Sequence, residues 1–239
     1  MGASIQSAGT LAERLSQVRA RMEAAVLRVG RQLEQVTLVA VSKTHPPEMV
    51  REAATAGIIN FGENRVQEAE EKIPQVGGDS IRWHLIGHLQ SNKTRKAIEL
   101  FDVIHSLDSV TLARKLDRAC EKAGRAQLPV LMQIDLGREA TKSGVTEDEL
   151  PQLIETLAQS RRLRLQGLMT LPPFYDNPEE VRPFFRRLRE LRDELRTLGA
   201  FGDGPGELSM GMTHDFEIAI EEGATIVRVG TAIFGERGR

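Results

Sequence analysis

Short apolar runs alternate with amphipathic helical stretches along this whole chain, and that rhythm leaves few folds open to it. The runs expected as strands open at Val36 and recur at residues 58–63, 82–87, 103–107, 128–136, 163–171, 207–212 and 224–229. Several carry almost no charge, which fits strands buried on both faces, as in parallel sheets wrapped by helices. Helical spacing fills the intervals, at residues 48–56, 66–73, 91–100, 110–123, 146–159, 181–198 and 215–222. Pro47 suits a first helical turn and Gly57 a helix end, while Pro172-Pro173 stops the sixth strand. Eight strands, the first seven each followed by a helix, favour a closed (β/α)8 barrel over an open doubly wound sheet, because closure leaves no strand edge exposed. One further helix, from Thr10 to Val29, precedes the first strand, with Thr10 and Glu13 at capping-box spacing. It is expected to close one end of the barrel. No linker or shift of composition divides the chain, so the expected architecture is α/β: a single-domain TIM barrel over residues 1–239 with an extra N-terminal helix.

Composition narrows the function classes. Hydrophobic residues make up 40% of the 239 residues and charged ones 28%, the balance of a folded globular protein rather than a disordered one. A net charge of -2 gives no electrostatic reason to expect nucleic acid. No apolar run approaches the ~20 residues of a membrane span, so no membrane partner is expected. Cys120 is the single cysteine, which excludes an intrachain disulfide and makes the cytoplasm the expected compartment.

In a barrel of this kind the functional groups stand on the C-terminal ends of the strands. The first run, VTLVAVSKTH, puts a lone lysine, Lys43, at that position. An ammonium drawn into such a site loses hydration, and the neutral amine that results is the nucleophile that Schiff-base chemistry requires. The plain alternative is a solvated loop lysine. Other strand ends carry Glu63 and Asn64, His88 and Gln90, Asp108, Asp135, Thr170, Ser209 and Met212, and Arg228, Gly230 and Thr231. Loops after the seventh and eighth strands often bind phosphate, and here they read Ser209-Met210-Gly211-Met212-Thr213 and Gly230-Thr231-Ala232. Small residues with open backbone N–H groups and hydroxyls suit an anion, although such glycines also serve plain turns. Together with a strand-end lysine they point to a phosphate-bearing carbonyl compound.

The segments VAVSKT (residues 39–44), FGENRVQE (61–68), WHLIGHLQSNK (83–93), LSMGMT with Asp215 (208–215) and VRVGTAIFG (227–235) resemble the pyridoxal-phosphate homeostasis protein family in order and across nearly the whole chain. That family is similar to the N-terminal barrel of alanine racemase, a fold type III pyridoxal-phosphate protein. The resemblance implies pyridoxal 5'-phosphate held as a Schiff base on Lys43. It also implies phosphate contacts from Ser209, Thr213, Gly230 and Thr231, a site position for Asn64, and Arg228 facing the pyridine nitrogen. Thr213 stands where the family more often has serine, and the hydroxyl is kept. A permanently charged arginine cannot accept the ring proton, so it favours the unprotonated pyridine and weakens stabilisation of a substrate carbanion. The second base of the racemases, a tyrosine from another domain, has no counterpart in position, because the one tyrosine here, Tyr175, follows the sixth strand.

The expectation is therefore a pyridoxal 5'-phosphate carrier that stores, buffers or delivers its cofactor, with no efficient catalysis. Its partners would be the cofactor and apo forms of cofactor-dependent enzymes, and the chain is expected to be a monomer. A one-domain racemase-like enzyme and a cofactor-free sugar-phosphate isomerase are the alternatives. Four features are read as structural. His84 and His88 on one strand stand roughly 13 Å apart, too far to share a metal. The arginines between Arg182 and Arg196 share their helix with acids and form a solvated, ion-paired face. Cys120 falls at an inward position, and Lys142 is a second, exposed amine.

Overall fold

A chain whose short runs are apolar on both faces must wrap them, and the helices supply the wrapping. The computed structural model describes residues 9–78, 80–137 and 143–236. Its strands are β1 (Thr37–Val41), β2 (Asn60–Glu63), β3 (Arg82–Leu85), β4 (Val103–Leu107), β5 (Leu128–Ile134), β6 (Leu163–Thr170), β7 (Glu207–Ser209) and β8 (Ile226–Val229). They pair in sequence order, all parallel, and β8 returns to β1 with Val39 opposite Arg228, so the barrel is closed. The (β/α)8 expectation holds.

The helices are α1 (Leu11–Arg28), α2 (Pro47–Thr55), α3 (Val66–Val76), α4 (Thr94–Leu100), α5 (Val110–Ala123), α6 (Leu150–Gln159), α7 (Arg182–Thr197), α8 (Phe216–Glu221) and α9 (Thr231–Phe234). Local chemistry sets their ends. Thr10 and Glu13 form the reciprocal capping box at the start of α1. Ser109 Oγ accepts from Leu112 N at the start of α5, and Gly124, at φ 68°, ends that helix in the left-handed conformation. The face of α7 expected to be ion-paired is so: Arg182 bonds Glu179, Glu221 and Glu222, and Arg187 bonds Glu147, Glu190 and Glu194. Cys120 is buried, and burial pushes its thiol up.

Two expectations are corrected. Helix α1 does not close an end of the barrel. It runs down the flank, where Arg14 donates to the Ile233 carbonyl, Arg21 pairs with Glu217 and Arg28 with Glu221, fixing its apolar stripe against α8 and α9. The seventh strand ends at Ser209 rather than at 212, because Gly211 turns at φ 88° against α8, where an added Cβ would lie 2.5 Å from the Ala219 Cβ. That turn lifts Thr213 and His214 onto the barrel mouth. The short helix α9, directly after β8, was not expected.

Two apolar cores result. One lies between strands and helices, and the other, of Val39, Val103, Leu131, Met169 and Ile226, fills the barrel interior. Among the described residues no helix is long and apolar enough to cross a membrane, and no group of three His, Cys, Asp or Glu side chains could hold a metal ion.

Candidate functional site

Strand alternation carries the inward rows past the strand ends. On β1, Val39 joins the interior core, Val41 lines a cavity above it, and Lys43, two residues on, lines the same cavity. Strand β8 repeats the pattern with Ile226, Arg228 and Gly230, and β5 with Leu131 and Gln133. The cavity, about 450 Å³, lies at the C-terminal mouth, and its wall includes Lys43, Asn64, His88, Gln133, Thr213, Arg228, Gly230 and Thr231. That volume suits one small ligand. Six of the seven residues expected at a cofactor site therefore meet on one surface.

The seventh, Ser209, does not. It is fully buried beneath the cavity, where its hydroxyl accepts from Arg228 Nη1 at 2.6 Å and lies 2.9 Å from His105 Nδ1. Its hydroxyl bonds Arg228 and His105 inside the barrel, and it is not among the residues that line the cavity. Thr213, whose Oγ1 lies 3.5 Å from Ala232 N, is the hydroxyl that reaches the wall beside Gly230 and Thr231.

Ser209 instead belongs to a chain that orients Arg228. His105 Nε2 lies 2.9 Å from His84 Nδ1, and His84 Nε2 lies 3.0 Å from Asn60 Oδ1. Burial, with Arg82 adding repulsion, takes His84 down to about 3, and burial likewise holds His105 well below its usual range, so both rings are neutral. Neutrality fixes every direction. Asn60 can only accept at Oδ1, so His84 donates through Nε2, His105 donates to His84, Ser209 donates to His105, and the Ser209 oxygen is left to accept from Arg228. A second donor, Arg228 Nη2, is held by the Thr170 carbonyl at 2.9 Å. Burial lowers Arg228 to about 10, with Asp215 opposing the shift, so the guanidinium stays charged near neutral pH.

A different network sets the position of Lys43. Ser42 and Glu63 point outward from their strands, toward α3, whose Lys72 is 5% exposed. Its ammonium donates to the Ser42 carbonyl at 2.7 Å, Glu63 Oε1 at 2.6 Å and Glu68 Oε1 at 2.8 Å, which uses all three N–H bonds. Ser42 Oγ also donates to Glu63 Oε1 at 2.7 Å, and Glu68 accepts from the Thr44 backbone N–H. Thr44 is the one non-glycine of positive φ among the described residues, at 66°. A β-branched residue there is strained, and the anchors on either side hold it. Burial pushes the Glu63 carboxyl up, against the pull of Lys72 and Ser42. Lys72→Met, which strands a buried carboxylate, is expected to cost about 3–5 kcal/mol in urea unfolding. Glycines complete the wall: a Cβ at Gly87 would lie 2.3 Å from the Asn64 carbonyl oxygen, and one at Gly230 would lie 3.3 Å from that of Val41.

Sequence reasoning missed three features. His84, read as structural, is a hydrogen-bonded member of the Arg228 chain. Gln133 lines the cavity, its Nε2 donating to the Ser143 carbonyl while its buried Oε1 has no partner among the described residues. A lone polar residue in an apolar strand, in register with Leu131, was the available signal. His88 also reaches the wall. Tyr175 stacks on Phe184, with centroids 6.1 Å apart, and does not line the cavity. Lys142 lies outside the described residues.

A closed (β/α)8 barrel whose mouth gathers a lysine, an arginine and a Thr-Gly-Thr cradle defines a barrel protein with a small-ligand site at the strand ends. Residues 14–238 match the family model described as "Alanine racemase, N-terminal domain". The alanine racemase of Corynebacterium glutamicum is 19% identical, with a TM-score of 0.66 over 93% of this chain and 62% of its own, and shares the fold. A nearer relative is the pyridoxal phosphate homeostasis protein of Aquifex aeolicus, 46% identical over 94% of this chain and 97% of that one. The structure of PipY from Synechococcus elongatus with PLP bound is 39% identical, with a TM-score of 0.79 over 95% of this chain and 100% of that one. The chain belongs to the pyridoxal phosphate homeostasis protein family.

Proposed function

We propose that this protein binds pyridoxal 5'-phosphate in the barrel-mouth cavity, bonded to Lys43, and acts in homeostasis of that cofactor without efficient catalysis. The convergence of an amine, a charged guanidinium and a hydroxyl-and-glycine cradle on one cavity carries the reading. The donor set fits the group. Lys43 supplies the amine for its aldehyde, Arg228 keeps donors for its ring nitrogen beyond the two used inside the barrel, and Thr213, Gly230 and Thr231 offer donors to its phosphate. Asn64 and Gln133 line the remaining wall. Bound, the cofactor supplies a reactive aldehyde and an electron sink. The protein's part is to hold that aldehyde away from adventitious amines and to release it to apo enzymes. We take it to act as a monomer in the cytoplasm, a reducing compartment that a chain with a single cysteine suits. Titration with the cofactor tests this: a visible-range band that borohydride abolishes, with the added mass on the peptide carrying Lys43, is expected.

Catalysis should be faint. Arg228, charged and buried, donates to the ring nitrogen and takes no proton from it, so the sink stays weak. Loaded protein incubated with L-alanine in deuterated water is expected to show slow α-proton exchange and at most trace inversion. Racemisation at about 1 per second or faster would count against a carrier.

A further inference from the structure

We propose that His88 is the acid–base group that makes and breaks the bond between Lys43 and its aldehyde ligand, a role resting on the cofactor reading above. The sequence reads His88 as structural, through packing or a strand-end hydrogen bond, and in the fold it stands on the wall that Lys43 also lines. Its Nδ1 lies 2.9 Å from Asp108 Oδ2 and 3.1 Å from Ser143 Oγ. The carboxylate can only accept, so the ring proton sits on Nδ1, and the neutral ring presents a bare lone pair at Nε2. Asp108 is 11% exposed and thereby fixed, whereas His88 is 53% exposed. The ring also borders an adjoining groove with Arg65, Gln90 and Lys93, through which solvent reaches it. An oriented imidazole between a lysine cavity and solvent is placed to carry protons between them.

The chemistry needs such a carrier. When the bond forms, Lys43 Nζ adds to the aldehyde carbon and gives up two protons. The carbonyl oxygen takes two and leaves as water, and a carbon–nitrogen double bond replaces carbon–oxygen. His88 as imidazolium donates the proton that lets the hydroxyl leave, and recovers one shed by the lysine nitrogen. In release, neutral Nε2 takes a proton from the attacking water, and the imidazolium returns one to the departing Lys43 amine. No other reactant is required.

A group that serves both directions changes rates without changing the equilibrium. Stopped-flow mixing of the full-length apoprotein with pyridoxal 5'-phosphate reads formation from the visible band, and adding a phosphatase that consumes free cofactor reads release from its decay. His88→Gln is expected to slow both about 100-fold while Kd stays within about twofold. Asp108→Asn, which leaves the ring in place without its carboxylate, is expected to slow both to a lesser degree. A raised Kd with release unchanged or faster would make His88 a binding residue and overturn the proposal. Unchanged rates in a variant that still forms the band would remove the His88 role alone. A wild-type protein that forms no band would remove the cofactor reading and this role with it.

Discussion

Replacing Lys43 with alanine is expected to leave a folded barrel that no longer holds pyridoxal 5'-phosphate covalently. The apolar packing of β1 rests on Val39 and Ala40, both fully buried, and on Val41 at 8% exposure, whereas Lys43 lies beyond the strand in a half-buried turn. That turn is anchored through the Ser42 carbonyl, which accepts from Lys72, and through the Thr44 N–H, which donates to Glu68. Unfolding midpoints should therefore move little. The covalent adduct should vanish, because the other lysine close by, Lys72, spends its three N–H bonds on Ser42, Glu63 and Glu68 and is turned away from the cavity. Intact mass after borohydride reduction reads the outcome. A full-stoichiometry adduct in Lys43→Ala, mapped to Lys142, would move the site to that amine.

The second large effect concerns the phosphate. Pyridoxal, which lacks it, is expected to bind far more weakly than its phosphate ester, because the cradle of Thr213, Gly230 and Thr231 then has no acceptor. Charge-assisted hydrogen bonds contribute roughly 1.5–3 kcal/mol each, so losing two or three weakens binding by roughly two to six orders of magnitude. Thr213→Val should remove part of that difference and leave the affinity for pyridoxal alone. The His45 ring, stacked on Phe234 with centroids 4.9 Å apart, ties the cradle's helix α9 to the Lys43 turn. Equal affinity for the two ligands in titration would take the cradle out of the site.

What could be read along the chain was what depends on near neighbours. Strand and helix periodicity gave the eight β/α units, Thr10 with Glu13 gave the cap of α1, and the end of the first apolar run gave Lys43 its place at a strand end. Family motifs then named six residues that do share one cavity. Ends and partners were not legible in the same way. The seventh strand stops at Ser209 because Gly211 packs against Ala219 of α8. Helix α1 takes the flank because Arg21 and Arg28 find Glu217 and Glu221 there. Closure of the barrel sets Ser209 between Arg228 of β8 and His105 of β4, and its hydroxyl bonds both. The same closure brings His88 of the third unit beside Asp108 of the fourth, and Lys72 of α3 beneath the turn after β1. The sequence by itself determined the eight strands, the helix that follows each of the first seven and their order, because those follow from local periodicity and capping. Only the tertiary structure decided which polar groups satisfy one another, because burial forces each donor and acceptor to find a partner, and that partner comes from a distant strand.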